Sequence, residues 1–238
     1  MQYNLTFSML LTAPYLGWIA DGVLTTLHLA LLSWSVALLL GLAVGIARVS
    51  SNRALRLFGT FYVELFRNVP LLVQLFLWFY VVPEFLPSET ARWWNRLDEV
   101  PYWTAVIGIA FYTSSRLAEQ IRAALGAIPK GQFEAALSTG LTKLQMYRHV
   151  IIPYAGRIMI PAITSEFLTV FKNTALALTI SVVEISATAR KIEAWSFKGI
   201  EAYTVASATY MLTTLAVILV MTMLERRLAI PGLIRRGS

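Results

Sequence analysis

The chain has 238 residues, of which 57% are hydrophobic and only 14% charged, with a formal net charge of +7. A mean hydropathy of +0.64 exceeds what a soluble domain needs and marks an integral membrane protein, so the positive balance reads as loop charge facing the cytoplasm, not as a nucleic-acid surface. Cysteine is absent, which excludes a disulfide framework and thiolate metal sites, and "MQYNLTFSMLLTAPYLGW" lacks the basic start of a cleaved signal peptide.

Between Asp21 and Arg48 lie 26 uncharged residues, enough to cross a bilayer with some tilt, so a first span is expected over residues 20–47. Within it, "GLAVG" sets Gly41 and Gly45 four apart. That spacing lets another helix come close, or is ordinary glycine content for a span. The next uncharged run, Asn68 to Pro83, has 16 residues, too few to cross. The second span is therefore expected to start earlier, over 60–83, and to include Glu64 and Arg67. These two share a helix face and are expected to pair. The proline of "RNVP" can distort the helix and leaves Arg67 the more open of the two.

A third span is expected over 102–124. It carries Arg116, Glu119 and Arg122 on one face, where Glu119 and Arg122 suit an ion-pair ladder and Arg116 lies deepest. A mixed loop follows over 130–153. A fourth span, 157–182, holds Glu166 and Lys172, and the polar run "FKNTAL" within it suits a discontinuous, site-lining segment. The fifth, 202–224, is charge-free. An ionisable group in a span faces a cavity or a partner, so the first and fifth spans are expected at the periphery and the other three along a pathway.

Five spans put the termini on opposite sides. One set of flanks holds 14 Lys and Arg, the opposite set five, and Lys172 lies inside a span. By the positive-inside rule the N-terminus is outside, the C-terminus cytoplasmic, and the 130–153 loop cytoplasmic. The fold class is an all-α membrane protein forming a single domain over 1–238.

In the loop "EAALSTGLTKLQMYRHVIIP", Gly131 to Ser138 reads as a short helix with Glu134 near its positive end. Gly140 suits a left-handed C-cap, and Thr142 can cap a second short helix running toward Pro153. Phe133, Ala136 and Leu137 give the first helix an apolar side, as Leu144 and Tyr147 do for the second. From the residues alone, this is either a surface gripped by a partner or an amphipathic connector lying on lipid. No phosphate-loop motif is present, so the chain is not expected to hydrolyse ATP. His28, expected as a packed polar residue, and His149, a loop-surface residue, are too isolated for a metal site.

The loop resembles the EAA loop of ABC importer permeases: Glu134, Ala135 and Ala136, then Gly140, then Val150, Ile152 and Pro153 at the family spacing. "YVELFRNVPLLVQLF", "IPKGQFEAALSTG", "SEFLTVFKNTALALTISVVEI" and "LERRL" are similar to the polar-amino-acid subfamily, from Gly17 to Leu228, and nearest to glutamate/aspartate importer permeases. The resemblance implies a MetI-like permease of five transmembrane helices in a bacterial inner membrane. Its implied partners are a second permease subunit, identical or homologous, two cytoplasmic ATPase subunits that hold ATP and Mg, and an extracytoplasmic solute-binding protein. No cofactor is implied in this chain. Glu134, Ala135, Ala136, Gly140 and Pro153 would couple to the ATPase.

The subfamily often reads K-D-T-S-L where this chain has Lys172, Asn173, Thr174, Ala175 and Leu176. Arg116 stands where a tyrosine is usual. Both departures make the field more positive. Lys172, Asn173, Thr174 and Arg116, with Arg67 and with Glu166 as compensating charge, are therefore expected to bind an acidic amino acid. The rivals are a permease for glutamine, histidine or arginine, an ion-gradient carrier and a membrane sensor. A carrier is disfavoured by the lack of an internal inverted repeat.

Overall fold

The computed structural model describes residues 5–228, apart from the side chains of Arg226 and Leu228. The termini, with Arg235 and Arg236 of the basic count, lie outside the described residues. Every regular element among those described is helical.

A 3-10 turn, Phe7–Leu11, leads into α1, Tyr15–Val49. Next come α2, Arg53–Arg67, and α3, Leu71–Phe76, which runs on through a π turn, Leu77–Val81, and a 3-10 turn, Val82–Phe85. After α4, Ser88–Asn95, the long α5 covers Val100–Gly126. The loop supplies α6, Lys130–Ser138, and α7, Lys143–Met146, and a π turn, Tyr147–Ile151, joins α7 to α8, Ile152–Asn173. A 3-10 segment, Thr174–Ile180, precedes α9, Ile185–Ser196, and α10, Gly199–Leu228.

The centre of the bundle is α5, and α1 lies along it in parallel. His28 meets Tyr102, and further along a side chain at Gly41 or Gly45 would collide with Leu117 or Ile121. A Cβ at Gly41 would sit 2.8 Å from the Leu117 Cβ, and one at Gly45 2.9 Å from the Ile121 Cβ. Of the two readings of "GLAVG", close helix approach is the one found. It also corrects the placement of the first span at the periphery: Leu29, Ala30 and Ala37 are buried against its neighbours. The fifth segment does stand apart, since none of the most apolar stretch of α10 is buried within the chain.

Among the described residues, two helices are long and apolar enough to cross a membrane, Tyr15–Val49 and Gly199–Glu225, or up to four if two bent pairs each count as one span. One pair, Arg53–Arg67 with Leu71–Phe85, turns through 99°; the other, Lys143–Ile180 with Ile185–Ser196, turns through 44°. The segment expected over 60–83 is thus not one helix. Pro70 precedes α3 and opens the corner, and the buried Gln74 closes it. Its Nε2 donates to the carbonyls of Phe66 at 2.6 Å and Val69 at 2.9 Å, which the end of α2 leaves without helical partners. α5 covers the segment expected over 102–124 but is less apolar than the spans above, because Thr113 to Arg116, Glu119 and Arg122 fall within it.

Candidate coupling loop and intramembrane charges

The loop folds around its own small core. Ala136, Met146, Ile151 and Ala155 are buried with Ile128, and Phe133 and Val150 pack on them. α6 ends where Gly140 takes φ +81°, its N–H donating to the Leu137 carbonyl at 3.0 Å. Thr142 starts α7 with a reciprocal cap: the Gln145 N–H donates to the Thr142 hydroxyl, and the Thr142 N–H donates to the Gln145 carboxamide oxygen. Thr-x-x-Gln was there to be read as a capping box. Glu134 and Ala135 are exposed. So are Leu137, Leu144 and Tyr147, Leu144 at 78%, which leaves an apolar face without cover.

One boundary differs from expectation. α7 does not stop at Pro153; the helix continues from Lys143 through α8, past the expected start at 157. Pro153 therefore falls inside a continuous helix, at the second residue of α8 and directly after the π turn. The preceding π turn supplies the local widening that a proline needs.

The intramembrane charges pair across helices. Arg116 holds Glu166 with two arms, Nη2 at 2.7 Å from Oε1 and Nε at 3.0 Å from both oxygens. Gln120 adds a donor at 2.9 Å, and Glu166 is buried. The Arg116 side chain remains 38% exposed and lies over the Tyr112 ring. Glu119 pairs with Arg122 at 2.5 Å, as expected, and also with Arg48 of α1. Glu64 does not pair with Arg67. It accepts from the Asn68 side chain at 2.8 Å, and Arg67 is exposed at the end of α2.

Lys172, Asn173 and Thr174 straddle the point where α8 gives way to the 3-10 segment, so the helix is interrupted where the sequence suggested. They do not face one site. Lys172 is exposed beside an open cavity of about 450 Å³ with Ser186, Tyr210 and Thr214. Thr174 is buried, its hydroxyl donating to the Phe171 carbonyl at 2.7 Å. His28 is not packed away but exposed.

Two further carboxylates, Glu184 and Glu201, are buried and are not among the predicted site residues. Glu184 caps α9 through the Ala187 N–H at 2.9 Å and accepts from the Tyr210 hydroxyl of α10. Glu201 accepts from the Thr6 N–H at 2.9 Å. An acid just before a helix hints at an N-cap for Glu184; nothing local hints at its burial.

Residues 37–230 match the family described as the binding-protein-dependent transport system inner membrane component. The chain belongs to this family. This inner membrane component is 42% identical over 221 residues to the glutamate/aspartate import permease protein GltJ of Escherichia coli (strain K12), covering 92% of this chain and 90% of that one. It is 33% identical over 205 residues to the octopine transport system permease protein OccM of Rhizobium radiobacter, covering 86% and 83%. A chain from the crystal structure of an amino acid ABC transporter with histidines shares its fold, with a TM-score of 0.83 at 29% identity over 94% of this chain and 100% of that one.

Proposed function

We propose that this chain is the permease subunit of an ATP-driven importer of polar amino acids, with glutamate and aspartate as substrates. The observation that carries the reading is the coupling loop. An exposed apolar face is held in one shape by the left-handed Gly140 and by the Thr142–Gln145 cap, in a chain of the binding-protein-dependent family. Glu134, Ala135, Ala136, Gly140 and Pro153 seat it in a cytoplasmic ATPase subunit. Two such subunits bind ATP and Mg, a second permease completes the pathway, and an extracytoplasmic binding protein delivers the amino acid. The complex sits in a bacterial inner membrane. Nucleotide and loaded binding protein each bias an equilibrium between inward- and outward-facing states.

The 42% identity to the glutamate/aspartate permease supports the acidic substrate, as do the cations. Arg116 offers a planar fork to a side-chain carboxylate, with Glu166 balancing it when the site is empty. Lys172, exposed at the helix break, meets the α-carboxylate, while the buried Thr174 stays bonded to the Phe171 carbonyl, and Arg67 adds positive field at the corner between α2 and α3.

The test is Gly140→Val. No atom lies within 4 Å of the added Cβ, so the penalty is backbone strain, about 1–2 kcal/mol in the left-handed region. Substrate-stimulated ATPase activity of the reconstituted complex is expected to collapse while the chain still inserts. Full stimulation in a well-inserted variant would falsify the coupling role.

A further inference from the structure

A second cavity, of about 380 Å³, opens between α1, the start of α5 and the turn after Ile180. Thr25 and His28 of α1, Glu99, Tyr102 and Trp103 at the head of α5, and Ser181 of the turn line it. The 27 residues of α5 separate it from the coupling loop by about 40 Å. None of the substrate or coupling residues assigned above lies in it.

The walls are set in place. Among the described residues three non-glycine residues have positive φ, and two of them, Glu99 at 59° and Ser181 at 72°, line this cavity. Such backbone persists where its surroundings over-determine it, as they do around ligand sites. The His28 and Tyr102 rings stack with 12° between their planes, and the Tyr102 hydroxyl lies 2.6 Å from His28 Nδ1. In the tautomer in which that hydroxyl donates to Nδ1, the ring proton sits on Nε2 and leaves it a donor.

The chemistry is selective. One carboxylate and two aromatic rings suit a primary ammonium. Two hydroxyls and an imidazole N–H suit an anionic oxygen. Among the described residues no lysine or arginine lines the cavity, so its described walls offer a bare anion no full positive charge. We propose that this cavity binds a small zwitterion carrying a primary ammonium beside an anionic group. The ammonium lies between Glu99 and the rings of Tyr102 and Trp103, and the anionic oxygens take Thr25, Ser181 and His28. A free α-amino acid and the head group of an ethanolamine phospholipid both present this chemistry. The importer reading bears only on which of the two is the source, so the test reads occupancy and not uptake.

The chain has two histidines, His28 and His149, and His149 is exposed in the coupling loop, a built-in reference. The full chain, with its co-purifying membrane and ATPase subunits and without the binding protein, is placed in phosphatidylglycerol nanodiscs and treated with diethyl pyrocarbonate. Modification of each histidine is followed by peptide mass spectrometry. Glutamine or phosphoethanolamine should slow modification of His28 several-fold and leave His149 unchanged, and N-acetylglutamine, which lacks the ammonium, should protect neither. Glu99→Gln should raise the half-protecting concentration about tenfold. Protection by glutamine assigns the site to amino acids. Protection by phosphoethanolamine and by phosphatidylethanolamine discs, without protection by glutamine, assigns it to lipid. Unprotected His28 under every condition, equal protection by N-acetylglutamine, or an indifferent Glu99→Gln overturns the proposal. A complex that fails to transport yet protects His28 loses the importer reading and keeps this one.

Discussion

Arg116 spends Nε and Nη2 on Glu166, and among the described residues no carboxylate takes its Nη1. Its charge is balanced by Glu166, and in the proposed function the remaining arm is the one that meets a substrate carboxylate. A charge-assisted bond to a side-chain carboxylate is worth about 1.5–3 kcal/mol, or roughly tenfold or more in affinity. Arg116→Gln should therefore weaken glutamate by at least about tenfold more than glutamine, and Lys172→Gln should weaken both alike. The measurement is uptake in proteoliposomes with the ATPase and a binding protein that delivers both amino acids. Equal losses for the two substrates in Arg116→Gln would sink the specificity claim. The variant also strips a buried carboxylate of its cation, so Arg116→Gln with Glu166→Gln serves as the control for folding.

At the scale of elements, two devices hold the bundle. The corner between α2 and α3 rests on Gln74, whose amide satisfies two carbonyls while its own oxygen is buried without a partner. Gln74→Leu removes that orphan oxygen but strands both carbonyls, at a net cost of about 1–3 kcal/mol. Hydrogen exchange over residues 66–76 is expected to speed up while α10 stays unchanged; identical exchange in both would show that the amide does not hold the corner. The seam between α1 and α5 depends on absent side chains. Gly41→Val drives a methyl group into Leu117 and should cost about 1–3 kcal/mol, seen as a lower unfolding temperature of the purified chain. Gly17→Val is the control, because open space surrounds that position. Equal shifts in the two variants would remove the seam argument.

For the whole molecule, parallel packing puts Val49 of α1 and Gly126 of α5 at the same end of the bundle. Arg48, Arg53 and Arg56 gather there, and the coupling loop with Lys130, Lys143 and Arg148 follows directly. This is the distribution that the positive-inside rule places in the cytoplasm, and the expectation of a cytoplasmic C-terminus is open to a direct test. A reporter active only in the cytoplasm, fused after Ser238, should therefore be active. A silent but fully expressed fusion, together with a periplasmic reporter active at the same site, would reverse the topology.

Membrane class, the helix–turn–helix of the 130–153 loop and the interruption at Asn173 were legible in the chain because each is local. Hydropathy sums over neighbours, a left-handed cap needs Gly140 in place, and the Thr142 cap reaches only to Gln145. Pairing was not legible. Glu64 was expected to hold Arg67 and took Asn68, Glu119 gained Arg48 from 71 residues away, and Glu166 met Arg116 from 50 away. The burial of Glu184 and Glu201, the 99° corner and the cavity at His28 were equally out of reach. Periodicity says which residues share a face, but not which face turns toward which neighbour. That rotation and register come from packing, here from Gly41 and Gly45 letting α1 settle onto Leu117 and Ile121 of α5. Only once the helices are docked does a carboxylate acquire a partner, or a histidine a cavity.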